Sequence, residues 1–376
     1  MEFKIKHFDT TLMRIDLRQE GLSGLQCRIL EKADTAESLF PLGFHPDEEG
    51  VMAWLKTRVI PQNRGYVDKI LSGMGLSHND ILGIVKISMG LSLNDCYWVP
   101  SADFEGQFEE YNLFEHDFVK ALSLVAYTGY GSVKLTGLIS SPEFTTNGML
   151  RKAWRRLDGQ VLLYKGGSEG FANSGLEPYS EFYASQIAET MGLHHVPYTL
   201  ASWKKSVCSV CPLFTDMEVS YIPMWRFGMF RTIPEIITYL DTLGSEYTDA
   251  FRDMLIFDAL ICNTDRHRNN FGLLINSRTN EPIAFAPIFD NGLGLFPYAM
   301  QDDLEDVDGY AKTRISAFDV DFTEIAKGVM TNRQRTQLRK MIGFTFYKGK
   351  SYSLPAKRLA IIEKWLQRRV YAMLEM

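Results

Sequence analysis

Apolar residues recur at helical spacing in three long stretches of the chain. Residues 180–191 place Phe182, Ile187 and Met191 on a helical repeat that Gly192 ends, with Pro197 shortly after. Residues 248–260 form a second helical stretch. Residues 356–374 form a third, amphipathic one, with Leu359, Ile362, Trp365 and Val370 on or near one face. Short β-prone runs lie between: 160–165, 207–214, 271–276 and 283–287, the last two flanking the turn Ser277-Arg-Thr-Asn280. Near the front, Met74-Gly-Leu-Ser-His-Asn-Asp80 is echoed by Met89-Gly-Leu-Ser-Leu-Asn-Asp95. In each copy a Gly can end one helix and a Ser can cap the next, with Asp three residues later. Residues 81–88 between them read as a short helix, and the front as a small bundle of short helices. A DNA-binding helix-turn-helix is the sharper alternative, with Lys56-Thr-Arg-Val-Ile-Pro-Gln-Asn-Arg64 adding positive charge.

These patterns divide 376 residues into a helical front part (1–125), a strand–helix–strand middle part (126–220) and a mostly helical back part (221–376). Apolar content of 45%, charged content of 23% and a net charge of −6 suit a globular protein and do not mark a globally basic nucleic-acid binder. The five cysteines are scattered and odd in number, which argues against a disulfide framework. No apolar run is long enough to span a bilayer, and the first residues lack the apolar core of a signal peptide. The expectation is a cytoplasmic, reduced protein.

The densest chemistry lies in Asn263-Thr-Asp-Arg-His-Arg-Asn-Asn-Phe-Gly272 and, later, Pro287-Ile-Phe-Asp-Asn-Gly292. Asp265 is followed by four residues and Asn270, and then by Asp290 ahead of a Gly. Protein kinases use this order: an Asp that orients the acceptor hydroxyl, an Asn for one magnesium, and a later Asp for the metal pair. Carboxylate and amide oxygens suit a hard cation such as Mg²⁺. Upstream, Lys165 closes an apolar strand and is the candidate for neutralising ATP phosphates. Glu181, on the following helix, is the candidate partner that holds it. Phe214, at the end of the 207–214 strand, is counted with the nucleotide-binding residues. Arg266 and His267 read as structural or phosphate-facing, His267 as hydrogen-bonded in the core. A single Cys208-Ser-Val-Cys211 reads as packed thiols, since zinc needs a fuller ligand set.

No G-x-G-x-x-G stands before Lys165. Gly129-Tyr-Gly131-Ser-Val133 resembles one only in part. The better candidate to cover phosphates is Ser140-Ser-Pro-Glu-Phe-Thr-Thr-Asn-Gly148, with Ser140, Ser141, Thr145, Thr146 and Gly148 as cofactor contacts. An ordinary surface loop fits that stretch equally. Arg151, Lys152, Arg155 and Arg156, which follow it, could face phosphate or water. The acidic run Asp302-Asp-Leu-Glu-Asp-Val-Asp308 reads as solubility charge, with a mobile loop near the acceptor as the alternative.

On these motifs, over roughly residues 140–296, the chain resembles the HipA-like serine/threonine kinase family, the kinase toxins of bacterial toxin–antitoxin pairs. Ser180-Glu-Phe-Tyr-Ala-Ser-Gln-Ile-Ala also looks like that family's helix after the ATP lysine. The resemblance implies an α/β (α+β) protein with a two-lobed, protein-kinase-like fold and a mostly helical amino-terminal extension. It implies Asp265 as catalytic Asp, Lys165 on ATP, Asn270 and Asp290 on Mg²⁺, and a loop near Ser141 that could be autophosphorylated. The partners implied are a protein substrate and an antitoxin or DNA-bound protein, with direct nucleic-acid binding left open. The front part departs from the family's amino-terminal domain. Two other readings stand beside this one: a small-molecule phosphotransferase, and a DNA-binding regulator with an inactive kinase-like part.

Overall fold

The computed structural model describes residues 1–20, 24–34, 37–131, 137–139, 141–171, 173–349 and 351–376, with only the backbone of Glu20 and Glu37. Contacts divide the chain into two compact units. The first holds Met1–Lys165, Leu213–Ile222 and Leu274–Ile283; the second holds Gly166–Pro212, Pro223–Leu273 and Ala284–Met376. The first break between the units falls after Lys165.

The first unit opens with a four-stranded antiparallel sheet in the order Gly24–Lys32, Thr10–Glu20, Glu2–His7, Tyr97–Trp98. This sheet corrects the expectation of a helical bundle at the front. Its signal is a period of two: Phe3, Ile5 and His7 turn inward while Glu2, Lys4 and Lys6 turn away. The helical reading rested on the capping pattern around residues 74–95, which says nothing of these first strands. The inner face packs on the helices Glu48–Lys56, Val67–Ser72, Ile81–Ser88 and Lys120–Thr128 through Ile15, Trp54, Ile70, Val85 and Val125.

The helix Ile81–Ser88 spans the expected residues, but its cap is Asp80, whose Oδ1 accepts the Gly83 N–H at 2.8 Å, not Ser77. The second copy of the echo starts no helix. Met89 and Gly90 adopt positive φ, 52° and 58°, and end the helix. Asp95 then binds Arg58 through both oxygens at 2.8 and 2.7 Å, and the chain continues into Tyr97–Trp98.

A hairpin of Lys152–Leu157 and Gln160–Gly166 turns at Asp158-Gly159, both at positive φ as a tight primed turn requires. Its register sets Lys165 opposite Lys152, both buried. The neighbouring arginines have structural contacts rather than open water. Arg151 lies over the Tyr127 ring, Arg155 over Tyr164 and Arg156 over Phe118, with Arg156 also donating to the Phe114 carbonyl at 2.7 Å.

Arg64 and Glu143 form a fully buried ion pair at 2.6 Å in this unit. Arg64 also donates to the carbonyls of Thr146 and Lys152, and Glu143 accepts the Trp154 N–H at 3.0 Å. Burial pushes the Glu143 carboxyl up and the Arg64 guanidinium down, which is desolvation outweighing the mutual attraction.

The second unit is helical around Ser245–Ile261, which is buried along most of its length against Ile233–Asp241, Phe322–Val329, Asn332–Arg339 and Ala356–Leu374. The expected helices at 180–191, 248–260 and 356–374 appear as Glu177–Met191, Ser245–Ile261 and Ala356–Leu374. One acid inside this core, Asp253, is saturated by Arg333 (2.8 Å), Gln334 (2.6 Å) and Gln337 (3.0 Å). A hairpin, Thr199–Trp203 with Ser206–Pro212, carries Cys208 and Cys211 as buried thiols that are not joined in a disulfide. The acidic run 302–308 folds as parts of two short helices, Gln301–Glu305 and Val307–Lys312. Among the described residues no helix is long and apolar enough to cross a membrane.

Removing one partner of the Arg64–Glu143 pair leaves an uncompensated buried charge. We expect Arg64→Ala to lower the unfolding free energy by roughly 3–5 kcal/mol, measured by urea denaturation. A loss under about 1 kcal/mol, the range of exposed pairs, would refute the buried-pair assignment.

Candidate functional site

The site in the second unit is assembled on a buried arginine. The helix Ser245–Ile261 ends at Cys262, whose φ of 52° turns the chain out of the helix and into the motif. Asp258, in the helix's last turn, is buried among apolar neighbours. Its two oxygens accept Arg266 Nε and Nη2 at 2.9 and 3.0 Å, a forked pair that lysine could not form. Asn263 Nδ2 donates to the same carboxylate at 3.0 Å, and Asn263 Oδ1 accepts the Asp265 N–H at 3.2 Å.

The remaining Arg266 donors reach two segments distant in sequence. Nη1 donates to the Asn270 carbonyl at 2.9 Å and to the Phe289 carbonyl. Nη2 donates to Asn291 Oδ1 at 2.5 Å. One guanidinium therefore holds the 265–270 loop beside the 289–291 segment. Burial by itself would lower its pKa; the Asp258 carboxylate, with Asp290 and Glu181 adding, raises it above the ordinary arginine value.

Asn270 Nδ2 donates to the Asp265 carbonyl at 2.9 Å, so its amide oxygen is the atom left to accept. Asp290 sits at φ 57°, a left-handed position uncommon outside Gly, Asn and Asp. Three contacts hold it there. The parallel bridge His195–Ile288 aligns the preceding residues. The Asp290 N–H donates to the buried Tyr198 hydroxyl at 3.2 Å. Glu181 Oε2 accepts the Asn291 N–H at 2.8 Å. The buried Tyr198 hydroxyl is pushed well above its usual pKa by burial, with Glu181 and Asp290 nearby adding, so it stays protonated.

Asp265, Asn270, Asp290 and Glu181 are thus tied into one bonded network in the second unit. Lys165, Ser141, Thr145, Thr146, Gly148 and Phe214 belong to the first unit, and Ser140 lies outside the described residues. In the first unit the Thr145 hydroxyl donates to the Leu91 carbonyl at 2.9 Å and the Thr146 hydroxyl to the Pro142 carbonyl at 2.6 Å. The first ties the loop to a distant segment of the same unit, and the second closes the loop on itself. Ser141 is buried, Gly148 has φ 92°, and Lys152 Nζ donates to the Asn147 carbonyl at 2.8 Å. Phe214 packs edge-on against Tyr221 at 5.6 Å.

His267 departs from expectation. Its side chain is 49% exposed, and its Nδ1 accepts the Asn269 N–H at 3.3 Å, because the loop turns it away from the core that Arg266 fills. Asp258, Asn263, Asn291 and Tyr198 carry the network and had no role in the sequence reading. Asp258 had a signal: a lone acid inside Leu255-Ile-Phe-Asp-Ala-Leu-Ile261 needs a buried partner.

The donor set fits a magnesium ion that phosphates also bind. Asn270 Oδ1 and the Asp290 carboxylate are hard oxygen ligands, and Mg²⁺ needs only one or two such groups beside phosphate oxygens. Among the described residues no group of three or more His, Cys, Asp or Glu side chains is placed to hold a metal by itself.

We expect Arg266→Lys to cost about 3 kcal/mol or more, because the shorter ammonium cannot satisfy Asp258, both carbonyls and Asn291 together. Urea denaturation measures this; a variant within about 0.5 kcal/mol of the parent would show that the guanidinium is not what joins the two segments.

No protein-family model matches the chain. A serine/threonine-protein kinase of Helicobacter pylori, CtkA, is 27% identical over 137 residues, covering 32% of this chain and 41% of that protein. The match thus spans about two fifths of the curated relative's length. The crystal structure of that proinflammatory kinase aligns with 60% of this chain and 90% of its own at 17% identity and a TM-score of 0.44. HipA of Shewanella oneidensis, solved with HipB and its operator DNA, aligns with 100% of this chain and 99% of its own at 12% identity and a TM-score of 0.55. Along its whole length the chain shares the fold of the Shewanella HipA, and over part of it the sequence is similar to CtkA.

Proposed function

We propose that the protein is an ATP- and Mg²⁺-dependent serine/threonine protein kinase. The observation that carries this reading is the Arg266 guanidinium, which binds the carbonyls of Asn270 and Phe289 and so holds the segments bearing Asp265, Asn270 and Asp290 together. Phosphoryl transfer asks a protein mainly for positioning and charge neutralisation, and a buried, fully bonded scaffold supplies both.

In this reading the Asp265 carboxylate accepts a hydrogen bond from the acceptor serine or threonine hydroxyl. It takes the proton as the hydroxyl oxygen bonds to the γ-phosphorus of ATP and the bond to the ADP oxygen breaks. Asn270 Oδ1 and the Asp290 carboxylate would hold Mg²⁺, which neutralises phosphate charge when bound. Lys165 remains the candidate for neutralising phosphate oxygens. The Thr145 and Thr146 hydroxyls, engaged with the carbonyls of Leu91 and Pro142, are not assigned to the nucleotide.

The solved HipA was captured with HipB and operator DNA. We extend the reading to a kinase toxin whose partner is a DNA-bound antitoxin. Co-purification of a DNA-binding protein with the full chain from its native host tests that extension separately from the chemistry.

Asp265→Asn and Asp290→Asn should each reduce phosphate incorporation by about a hundredfold or more, in line with loss of a catalytic base or metal ligand. The thermal midpoint should hold within a few degrees. Transfer is measured with radiolabelled Mg·ATP and mass spectrometry of the full chain and added protein. Either variant retaining parental activity would remove its residue from the mechanism. Transfer only to small alcohols or aminoglycoside-type acceptors would favour a small-molecule phosphotransferase.

A further inference from the structure

Next to the network, in the same unit, a glycine-rich loop runs from the end of the strand Gln160–Gly166 to the helix Glu177–Met191. Its neck is closed by glycines: a Cβ on Gly167 would stand 2.4 Å from the Gly175 Cα. Both Glu177 oxygens accept the Ser168 N–H at 3.2 Å, and the Tyr298 hydroxyl donates to Glu177 Oε1 at 2.6 Å. Burial, with Glu177 adding, pushes the Tyr298 phenol above its usual range, so the hydroxyl stays a donor.

Tyr298 is in turn fixed from below. Arg358, buried, donates to the Ala299 carbonyl at 2.9 Å and to the Phe296 carbonyl, and Phe296 packs edge-on against Trp365 at 4.6 Å. On this braced ring lies Phe171, with ring centroids 5.5 Å apart, yet Phe171 remains 55% exposed. Met300, two residues after Tyr298, is 46% exposed, with Asn173 Nδ2, two residues after Phe171, donating to its sulfur at 3.0 Å and to the Ala299 carbonyl at 2.6 Å. Two large apolar side chains are thus held in place and displayed rather than buried.

The display is continuous with the proposed catalytic network. A Cβ on Gly292, two residues after Asp290, would stand 3.5 Å from Glu177 Cβ and 3.6 Å from Glu181 Oε1. Glu177, which anchors Tyr298, therefore lies close to the turn that carries Asp290. Asp265 is near enough to act electrostatically on the Tyr298 hydroxyl.

We propose that Phe171 and Met300, braced by Tyr298, form the subsite that reads the acceptor: a polypeptide with an apolar side chain at a fixed position beside its serine or threonine. This rests on the kinase reading above. A small polar acceptor would have no use for such a platform, whereas a peptide crossing the site would lay a flanking side chain on it.

The test is phosphorylation of a serine/threonine-centred peptide library, each flanking position varied, by the full chain with Mg·ATP. The parent should select Leu, Phe or Met at one flanking position. Phe171→Ser and Met300→Ser should each lower kcat/KM for that peptide roughly tenfold and flatten the preference, with KM for ATP unchanged. Phe171→Leu should restore most of it, and Met229→Ser, at a residue 91% exposed elsewhere in the unit, should change nothing. A parent that phosphorylates peptides without apolar selection, or a selection that survives both serine variants, overturns the subsite and leaves the kinase reading standing. A parent that transfers phosphate to no peptide or protein overturns both.

Discussion

The forked pair between Arg266 and Asp258 is the constraint on which the site depends. A charge buried this deeply is costly unless each donor is met, and here all of its contacts are useful ones. Asp258 fixes the guanidinium to the central helix. Its other donors end on the 265–270 loop and on the 289–291 segment. The two segments are separated in sequence by a turn of strands, and no local preference would bring them together. An arginine that must find several acceptors in a dry interior selects one arrangement of both.

The same design recurs at smaller scale. Glu177 closes a loop by accepting Ser168 and fixes Tyr298. Glu181 accepts Asn291, and Tyr198 accepts Asp290, so that a residue at an unfavourable φ is over-determined by its surroundings. Buried acids and a phenol hold the backbone that carries the half-buried Asp265 and Asp290. This division explains why the buried members of the network are Asp258, Glu177 and Glu181 while the Asp265 side chain is 43% exposed.

Polar residues next to one another in the chain take different roles, for physical reasons. Arg266 was read as structural or phosphate-facing, and it is structural. His267, read as a core histidine, is exposed because adjacent residues in a tight loop point in opposite directions, and Arg266 takes the inside. The threonines of the 140–148 segment were grouped with phosphate contacts because small hydroxyls can cradle anions. In the folded chain they bond backbone carbonyls of their own neighbourhood, a competing use that composition cannot distinguish.

Local pattern alone was enough for the helices Ile81–Ser88, Ser245–Ile261 and Ala356–Leu374 and for the order of acid, amide and acid along the chain, since apolar periodicity and motif spacing are written in neighbouring residues. Tertiary structure decided what depends on partners far away. It turned the charged, alternating segments before residue 33 into a sheet, since a half-buried strand needs neighbours before its period of two has meaning. It made the second copy of the front echo a salt-bridged turn instead of a helix, because Arg58 was there to meet Asp95. It also joined Asp258, Asn270, Phe289 and Asn291 through a single guanidinium: spacing can name the residues of a site, but only packing in a low-dielectric interior can select which of them share one arginine.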